Sequence, residues 1–197
     1  MTSSERDTLR RLPLLYLAIP LAVVIVWLVP HHRLVTNLLG LYLLPLWIVL
    51  AHLLCGLSYT LTGLSLRRGL MLIKSSLLVY RRKESSLIHL QAALLVALAE
   101  EAVFRYALLG WLDGALGPVA ALLITSLLFS LLHLRRGVGA KRVLHHADLF
   151  LFALVLGGLT LGLASIYPAL ILHGMRNYIL RCLLISKEEY HRRGLGG

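Results

Sequence analysis

The chain has 197 residues, of which 58% are hydrophobic and only 15% charged, and its mean hydropathy is +0.81. Soluble globular domains carry charges on roughly a quarter of their residues, and a soluble fold of this length has too little interior for so many apolar side chains. Disordered segments are poor in apolar residues, so disorder is excluded as well. The composition therefore predicts an integral membrane protein.

The net charge is +11, from 20 Lys and Arg against 9 Asp and Glu. On a soluble chain such an excess would favour nucleic-acid binding, but here the basic residues form short clusters between apolar stretches. Clusters in that position set membrane topology and attract anionic headgroups. We therefore expect membrane lipids as partners and no nucleic acid. The two cysteines, Cys55 and Cys182, lie within apolar stretches and are expected to be buried, inert thiols.

Six apolar stretches are long enough to cross a hydrocarbon core, which takes about 20 helical residues. Because lipid-exposed backbone must satisfy its own hydrogen bonds, each stretch is predicted to be a helix. The first is expected to be an uncleaved span, since no cleavage site of small residues follows it. The segment 67–83 is too charged to span and is predicted to form an amphipathic helix in the interface. The six predicted spans are 12–30, 34–56, 87–109, 115–134, 146–166 and 168–186.

The basic residues are distributed very unequally between the two sides of these spans. Sixteen Lys and Arg fall on the side of the two termini, and only Arg33 falls on the other. The positive-inside rule therefore places both termini in the cytoplasm. We expect the protein in the plasma membrane of a bacterium or an archaeon. We divide the chain into an N-terminal region of two spans with the interfacial helix, 1–86, a core of four spans, 87–186, and a cytoplasmic tail, 187–197.

Three predicted spans contain ionisable or amide side chains in short groups. The sequences are AEEAVFR at 99–105, FSLLH at 129–133 and HGMRN at 173–177. Ionisable groups within spans cost a few kcal/mol each, so they are functional candidates by default. Hydrogen bonding between helices would explain one such residue, but it is a poor explanation for this whole set. Carboxylates that converge with imidazoles are typical of sites that activate water, with or without a metal.

Helical geometry separates the two adjacent glutamates. Glu101 and Arg105 lie four residues apart on one face and are expected to form an ion pair within the membrane. Glu100 points about 100° away from Glu101 and needs a partner from another helix. His173 and Asn177 are also four residues apart and present two polar groups in one direction.

In this order, EExxxR, FxxxH and HxxxN resemble the motifs of the CPBP intramembrane proteases. That family includes the CAAX prenyl endopeptidases of the Rce1 type and relatives involved in bacteriocin processing or immunity. The resemblance covers about 87–180 and implies an all-helical membrane bundle with endopeptidase activity on a peptide within or beside the bilayer. The matching residues are Glu100, Glu101, Arg105, Phe129, His133, His173 and Asn177.

The resemblance also implies roles for these residues. Glu100 and His133 would activate the attacking water, and Glu101 would be a further active-site carboxylate. Arg105 would hold the glutamate pair, and Phe129 would support the site as part of the second motif.

The last motif would stabilise the oxyanion through His173 and Asn177. The same resemblance leaves the cofactor open. Glu100, His133 and His173 would be the ligands of a zinc ion with one open position, but a glutamate base without metal is equally compatible with these residues.

Arg176, next to Asn177, has three interpretations. It would neutralise the glutamates, bind a substrate carboxylate, or extend its guanidinium to the headgroups. A serine dyad of Ser130 and His133 is a further alternative for the chemistry. For the whole protein, the alternatives are a non-catalytic immunity or partner-binding protein that retains the motifs and a carrier that uses the glutamates as a proton relay.

Two other patterns concern packing. Gly158 and Gly162 form a small-xxx-small patch at which helix backbones are expected to approach closely. His145, His146 and Asp148 are expected to lie at the start of a helix in the interface, where the helix dipole would favour the Asp148 carboxylate.

Overall fold

In the computed structural model, the described part of the chain is helical and contains no strand. This confirms the predicted all-α class. The described residues are 3–28, 37–63, 67, 70, 71, 74, 87–133 and 139–192. The predicted interfacial helix 67–83 lies, apart from four residues, outside them.

The helices of the described residues join into six rods, several of them interrupted by a kink or a change of helical type. In chain order they are α1 Ser3–Leu15 with α2 Ala18–Leu28, α3 Leu39–Tyr42 with α4 Leu44–Gly63, α5 Leu87–Glu101 with a π-helical segment Ala102–Leu109 and α6 Gly110–Leu116, α7 Pro118–Leu132, α8 Ala140–Leu163, and α9 Tyr167–Arg192.

Proline and glycine explain two of the breaks. Pro20 has no N–H to donate to the carbonyl of Tyr16, and the N–H of Ile19 donates to that carbonyl instead, at 3.1 Å. The chain therefore kinks between α1 and α2. Gly117 separates α6 from α7 with φ at 82°, a conformation that L side chains rarely adopt, and Pro118 then begins α7.

Three of the described helices are long and apolar enough to cross a membrane, namely Asp7–Leu28, Leu87–Leu116 and Arg142–Leu163. Two shorter apolar helices, Leu44–Ser58 and Pro118–Leu132, accompany them. The predicted span 115–134 is thus a helix of 15 residues, about 22 Å long at 1.5 Å per residue, which is less than the thickness of a hydrocarbon core.

The last helix, α9, lies at the centre of the bundle and packs against α5, α4 and α8, while α8 also packs against α7. The main hydrophobic core is formed by α4, α5, α8 and α9, with Trp47, Phe152, Leu172 and Ile179 among its buried side chains. Apolar side chains such as Trp27, which is 80% exposed, cover the outer surface as expected for contact with lipid.

The glycines at which an added Cβ would meet another helix closely are different from those expected. A Cβ at Gly157 would lie 2.5 Å from Leu122 Cδ1, and one at Gly174 would lie 2.6 Å from Leu94 Cδ2. A Cβ at Gly158 would meet no described atom within 4 Å, so the expected close approach at the small-xxx-small patch is wrong.

The start of α8 also differs from the sequence prediction. α8 begins at Ala140, six residues before the predicted span. Asp148 is therefore more than two turns inside the helix and is buried, with 7% of its surface exposed. The expectation that it lies in the first turn at the interface is wrong, since the dipole acts only on the terminal turn.

Candidate active site

Glu100 on α5 lies between two histidines that come from other helices. Its Oε2 atom is 3.3 Å from Nε2 of His173 and 3.5 Å from Nε2 of His133. Oε2 itself is buried, but 26% of the Glu100 side chain and 34% of the His133 side chain are exposed. The partners of Glu100 are thus His133, at the end of α7, and His173 on α9. Part of the Glu100 side chain remains exposed at the surface of the protein.

Glu101 has the opposite environment, with no exposed surface. Its Oε2 lies 3.3 Å from Nε of Arg105, and its Oε1 lies 2.7 Å from Nδ1 of His173. A carboxylate only accepts, so Nδ1–H of His173 donates this hydrogen bond. The ion pair between Glu101 and Arg105, expected from their spacing, is present, and Arg105 also donates to the carbonyl of Ala153 at 3.4 Å.

The ring of Phe129 joins the two histidines to the arginine. It stacks on His133 at a centroid distance of 4.3 Å and meets His173 edge to face at 5.7 Å. The guanidinium carbon of Arg105 lies 4.7 Å from the centroid of the same ring. His133 donates from Nδ1 to the carbonyl of Phe129 at 2.7 Å, which directs its Nε2 towards Glu100.

The local structure explains how three sequence segments meet. The backbone changes to the wider π-helical form directly after Glu101, a feature that is frequent at functional sites. His133 is the residue that follows the last residue of α7, and His173 lies in the second turn of α9. His133 thereby lies beside Glu100, which is about midway along its rod.

Asn177 lies one turn beyond His173 on α9 and is partly buried. Its amide forms no hydrogen bond with the residues that the structure describes. The four other residues predicted to be catalytic form one chain of contacts, from His133 to Glu100, His173 and Glu101.

Arg176 is buried, with 7% of its surface exposed. Its Nη2 lies 2.7 Å from Oδ2 of Asp148 and donates to the hydroxyl of Ser58 at 2.8 Å, and Ser58 in turn donates to Asp148. Arg176 therefore neutralises a carboxylate, but that of Asp148 rather than of the glutamates. The interpretation that it extends to the headgroups is wrong, because its guanidinium is enclosed by protein.

The serine dyad is also wrong. The hydroxyl of Ser130 donates to the carbonyl of His146 at 2.8 Å, and Nδ1 of His146 donates back to the carbonyl of Ser130 at 3.0 Å. This reciprocal pair joins α7 to α8 and directs Ser130 away from His133.

Within the described ranges, no three His, Cys, Asp or Glu side chains are arranged to hold a metal ion. Both ring nitrogens of His173 face carboxylates, and Nδ1 of His133 faces a carbonyl. Glu100, Glu101 and Arg105 together carry a formal charge of −1, so one proton on either imidazole would make the cluster neutral.

Sequence reasoning missed three residues that contact Arg176, namely Ser58, Asp148 and Phe152. Phe152 meets His173 edge to face at 5.8 Å and also contacts Arg176. Asp148 and Arg176 had a signal in the sequence, because an acid and a base buried in neighbouring apolar helices are expected to pair. Phe152 is one of many apolar residues on α8 and had no such signal.

The comparison with known protein families matches residues 82–179 to the type II CAAX prenyl endopeptidases of the Rce1-like kind. The match contains all three motif segments, from the residues just before α5 to the middle of α9. No curated protein and no solved structure matches the chain. The match includes both glutamates and both histidines of the site, so it agrees with the resemblance of the motifs. Residues 82–179 therefore form an Rce1-like domain of the type II CAAX prenyl endopeptidase family.

Proposed function

We propose that the protein is an intramembrane endopeptidase that cleaves a peptide or protein substrate at the membrane with water activated by Glu100. One observation carries this proposal. Glu100 Oε2 lies within 3.5 Å of two imidazole nitrogens from different helices, while part of its side chain is exposed. A base must reach the water that it deprotonates and must be able to pass the proton on, and this arrangement supports both.

The two glutamates would have different tasks. Glu101 is fully buried between Arg105 and His173, so we assign it the orientation of the His173 ring. Glu100 is the accessible carboxylate, and we assign it the proton transfers.

The reaction then follows from the positions of these groups. Glu100, assisted by His133, accepts a proton from water as the water oxygen attacks the carbonyl carbon of the scissile peptide bond. The C–N bond of the tetrahedral intermediate breaks as the same proton moves to the leaving nitrogen. The products are an amine and a carboxylic acid, which then releases its proton to solvent, and Glu100 returns to its ionised form.

The oxyanion of the intermediate would be stabilised by donors on α9. Once Glu100 holds the proton, its attraction for Nε2 of His173 weakens, and a protonated Nε2 can donate to the oxyanion. The amide of Asn177, one turn away, is the second donor that we propose. Fixed donors in a site with little water stabilise developing charge strongly.

In the membrane, we propose six spans with both termini in the cytoplasm, because the basic residues lie mainly on that side. The early end of α7 would then leave Glu100 and His133 below the cytoplasmic surface, within reach of a substrate segment that enters from the bilayer. The division into 1–86, 87–186 and 187–197 remains part of this proposal.

The test is cleavage by the purified protein in proteoliposomes. A quenched fluorescent peptide with a farnesylated C-terminal CAAX sequence is the first probe, and mass spectrometry of peptides from membranes with and without the protein extends the search to other substrates. We expect Glu100→Gln to insert and fold normally and to lose at least about a hundredfold of the cleavage rate, the low end for acid–base catalysis.

Asp113→Asn is the matched control, since it neutralises a carboxylate on the same rod, three turns away from the site. It is expected to cleave at the wild-type rate. Wild-type cleavage by Glu100→Gln would refute the mechanism, and absence of any product from the wild-type protein would favour the non-catalytic alternative, a partner-binding or immunity protein.

A further inference from the structure

A second buried charge cluster lies where α4, α8 and α9 meet. It consists of Ser58 on α4, Asp148 on α8 and Arg176 on α9, connected by the hydrogen bonds described above. The side chains of Asp148 and Arg176 are 9% and 8% exposed, so water screens their interaction very little. The cluster joins three helices at one point.

Phe152 connects this cluster to the candidate active site. The guanidinium carbon of Arg176 lies 4.3 Å from the centroid of the Phe152 ring, a cation–π contact that is stronger in a desolvated setting. The same ring meets His173 edge to face at 5.8 Å with an interplanar angle of 80°. His173 therefore packs against two phenyl rings, those of Phe152 and Phe129.

Two polar contacts of His173 depend on the orientation of its ring: the hydrogen bond from Nδ1 to Glu101 and the close approach of Nε2 to Glu100. Nδ1 must face Glu101 while Nε2 faces Glu100, and a rotation of the ring would break one of these contacts. Phe152 contacts the His173 ring and so opposes such a rotation, and the guanidinium of Arg176 contacts Phe152 in turn.

A purely structural explanation of the ion pair is weak. Buried ion pairs often contribute little net stability, because the cost of removing two charges from water offsets their attraction, and apolar replacements of similar volume are often tolerated. The pair with Asp148 does, however, orient the guanidinium of Arg176 above the ring of Phe152. An apolar replacement of the pair would lose this contact.

We propose that Arg176 is a positioning residue: its ion pair with Asp148 fixes Phe152 against His173 and so keeps Nε2 of His173 beside Glu100. This inference rests on the proposed function of the site. It gives Arg176 a role other than binding substrate, since a substrate carboxylate would have to displace Asp148 to reach it.

The test compares variants that keep the fold but change the contact on Phe152. Asp148→Leu combined with Arg176→Met removes both charges and leaves no unpaired one. We expect this paired variant to retain a thermal unfolding temperature close to wild type. Its kcat should fall about tenfold to a hundredfold with little change in KM, since misplacement of a catalytic group by about an ångström has effects of that size.

Arg176→Lys keeps a cation that can pair with Asp148 and lie over Phe152, and it is expected to recover most of the lost kcat. Phe152→Leu keeps the ion pair, removes only the ring, and is expected to reproduce the loss. Phe150→Leu is the matched control on the same helix, and its kcat should be that of the wild type. A paired variant with the kcat of the wild type would overturn the proposal.

A second readout does not depend on cleavage. In protein labelled with ¹⁵N-histidine, the ring nitrogen signals of His173 are assigned by their loss in His173→Gln. In the paired variant and in Phe152→Leu, we expect the chemical shifts of the two ring nitrogens to move towards the averaged values of an imidazole whose proton exchanges between Nδ1 and Nε2. Phe150→Leu should leave these chemical shifts unchanged.

Unchanged His173 signals in the paired variant and in Phe152→Leu would overturn the proposal even if kcat falls. If the wild-type protein cleaves nothing while the signals shift as expected, the positioning role stands and the proposed function fails. The two proposals are thereby tested separately.

Discussion

Nδ1 of His173 lies 2.7 Å from Oε1 of Glu101, a carboxylate with no exposed surface. This contact fixes which ring nitrogen of His173 is left to face Glu100. Two glutamates adjacent in the sequence therefore have different surroundings, one enclosed by Arg105 and His173 and the other partly accessible. The difference leads to separable effects on stability and on activity.

Glu101→Gln is expected to reduce stability as well as cleavage. It leaves the buried guanidinium of Arg105 without its charge partner, and breaking a buried pair on one side costs about 3–5 kcal/mol. Arg105→Ala breaks the same pair from the other side and should have a similar cost. The measurement is thermal or denaturant unfolding in detergent, with Glu100→Gln as the control of unchanged stability. Equal stability of Glu100→Gln and Glu101→Gln would contradict the assignment of different roles.

Gly174→Ala is expected to disturb the contact between α9 and α5 beside the site. The new methyl group would lie 2.6 Å from Leu94 Cδ2 and 3.4 Å from Leu94 Cγ, and overpacking of this kind costs about 1–3 kcal/mol. Since Gly174 follows His173 directly, we also expect slower cleavage. Gly158→Ala, with open space around the new Cβ, should unfold and cleave like the wild type, and a similar loss in both variants would argue against this packing.

The proposed topology predicts the accessibility of single cysteines. In a background with Cys55→Ala and Cys182→Ala, Gly114→Cys should react with a membrane-impermeant maleimide added from outside intact cells. Arg142→Cys should react only after the membrane is permeabilised, because it lies on the side of the basic clusters. Labelling of position 114 from the inside alone would invert the topology.

The proposed mechanism uses no metal, and it predicts that chelation leaves cleavage intact. Dialysis of the purified protein against 1,10-phenanthroline, followed by the proteoliposome assay, should change the rate by less than about twofold, because a proton transfer by Glu100 needs only a base and its partners. Loss of cleavage with recovery on addition of zinc would instead identify Glu100, His133 and His173 as metal ligands.

The sequence by itself determined the helical class and named most of the residues that meet in the candidate site. Apolar stretches of about 20 residues must be helices in a bilayer for lack of other hydrogen-bond partners, and ionisable residues within them are costly enough to indicate function. Spacing within one helix predicted the ion pair between Glu101 and Arg105. Residues four apart share one face of a helix, independently of how that helix packs against others.

Only the tertiary structure decided what depends on contacts between helices. Apolar composition marks the span 115–134 but does not show that His133, directly after the last residue of α7, lies beside Glu100 of another helix. Spacing also could not pair Asp148 with Arg176 or place Phe152 between Arg176 and His173. Which faces of α4, α8 and α9 meet depends on close packing between helices, a property of the assembled bundle rather than of any one segment.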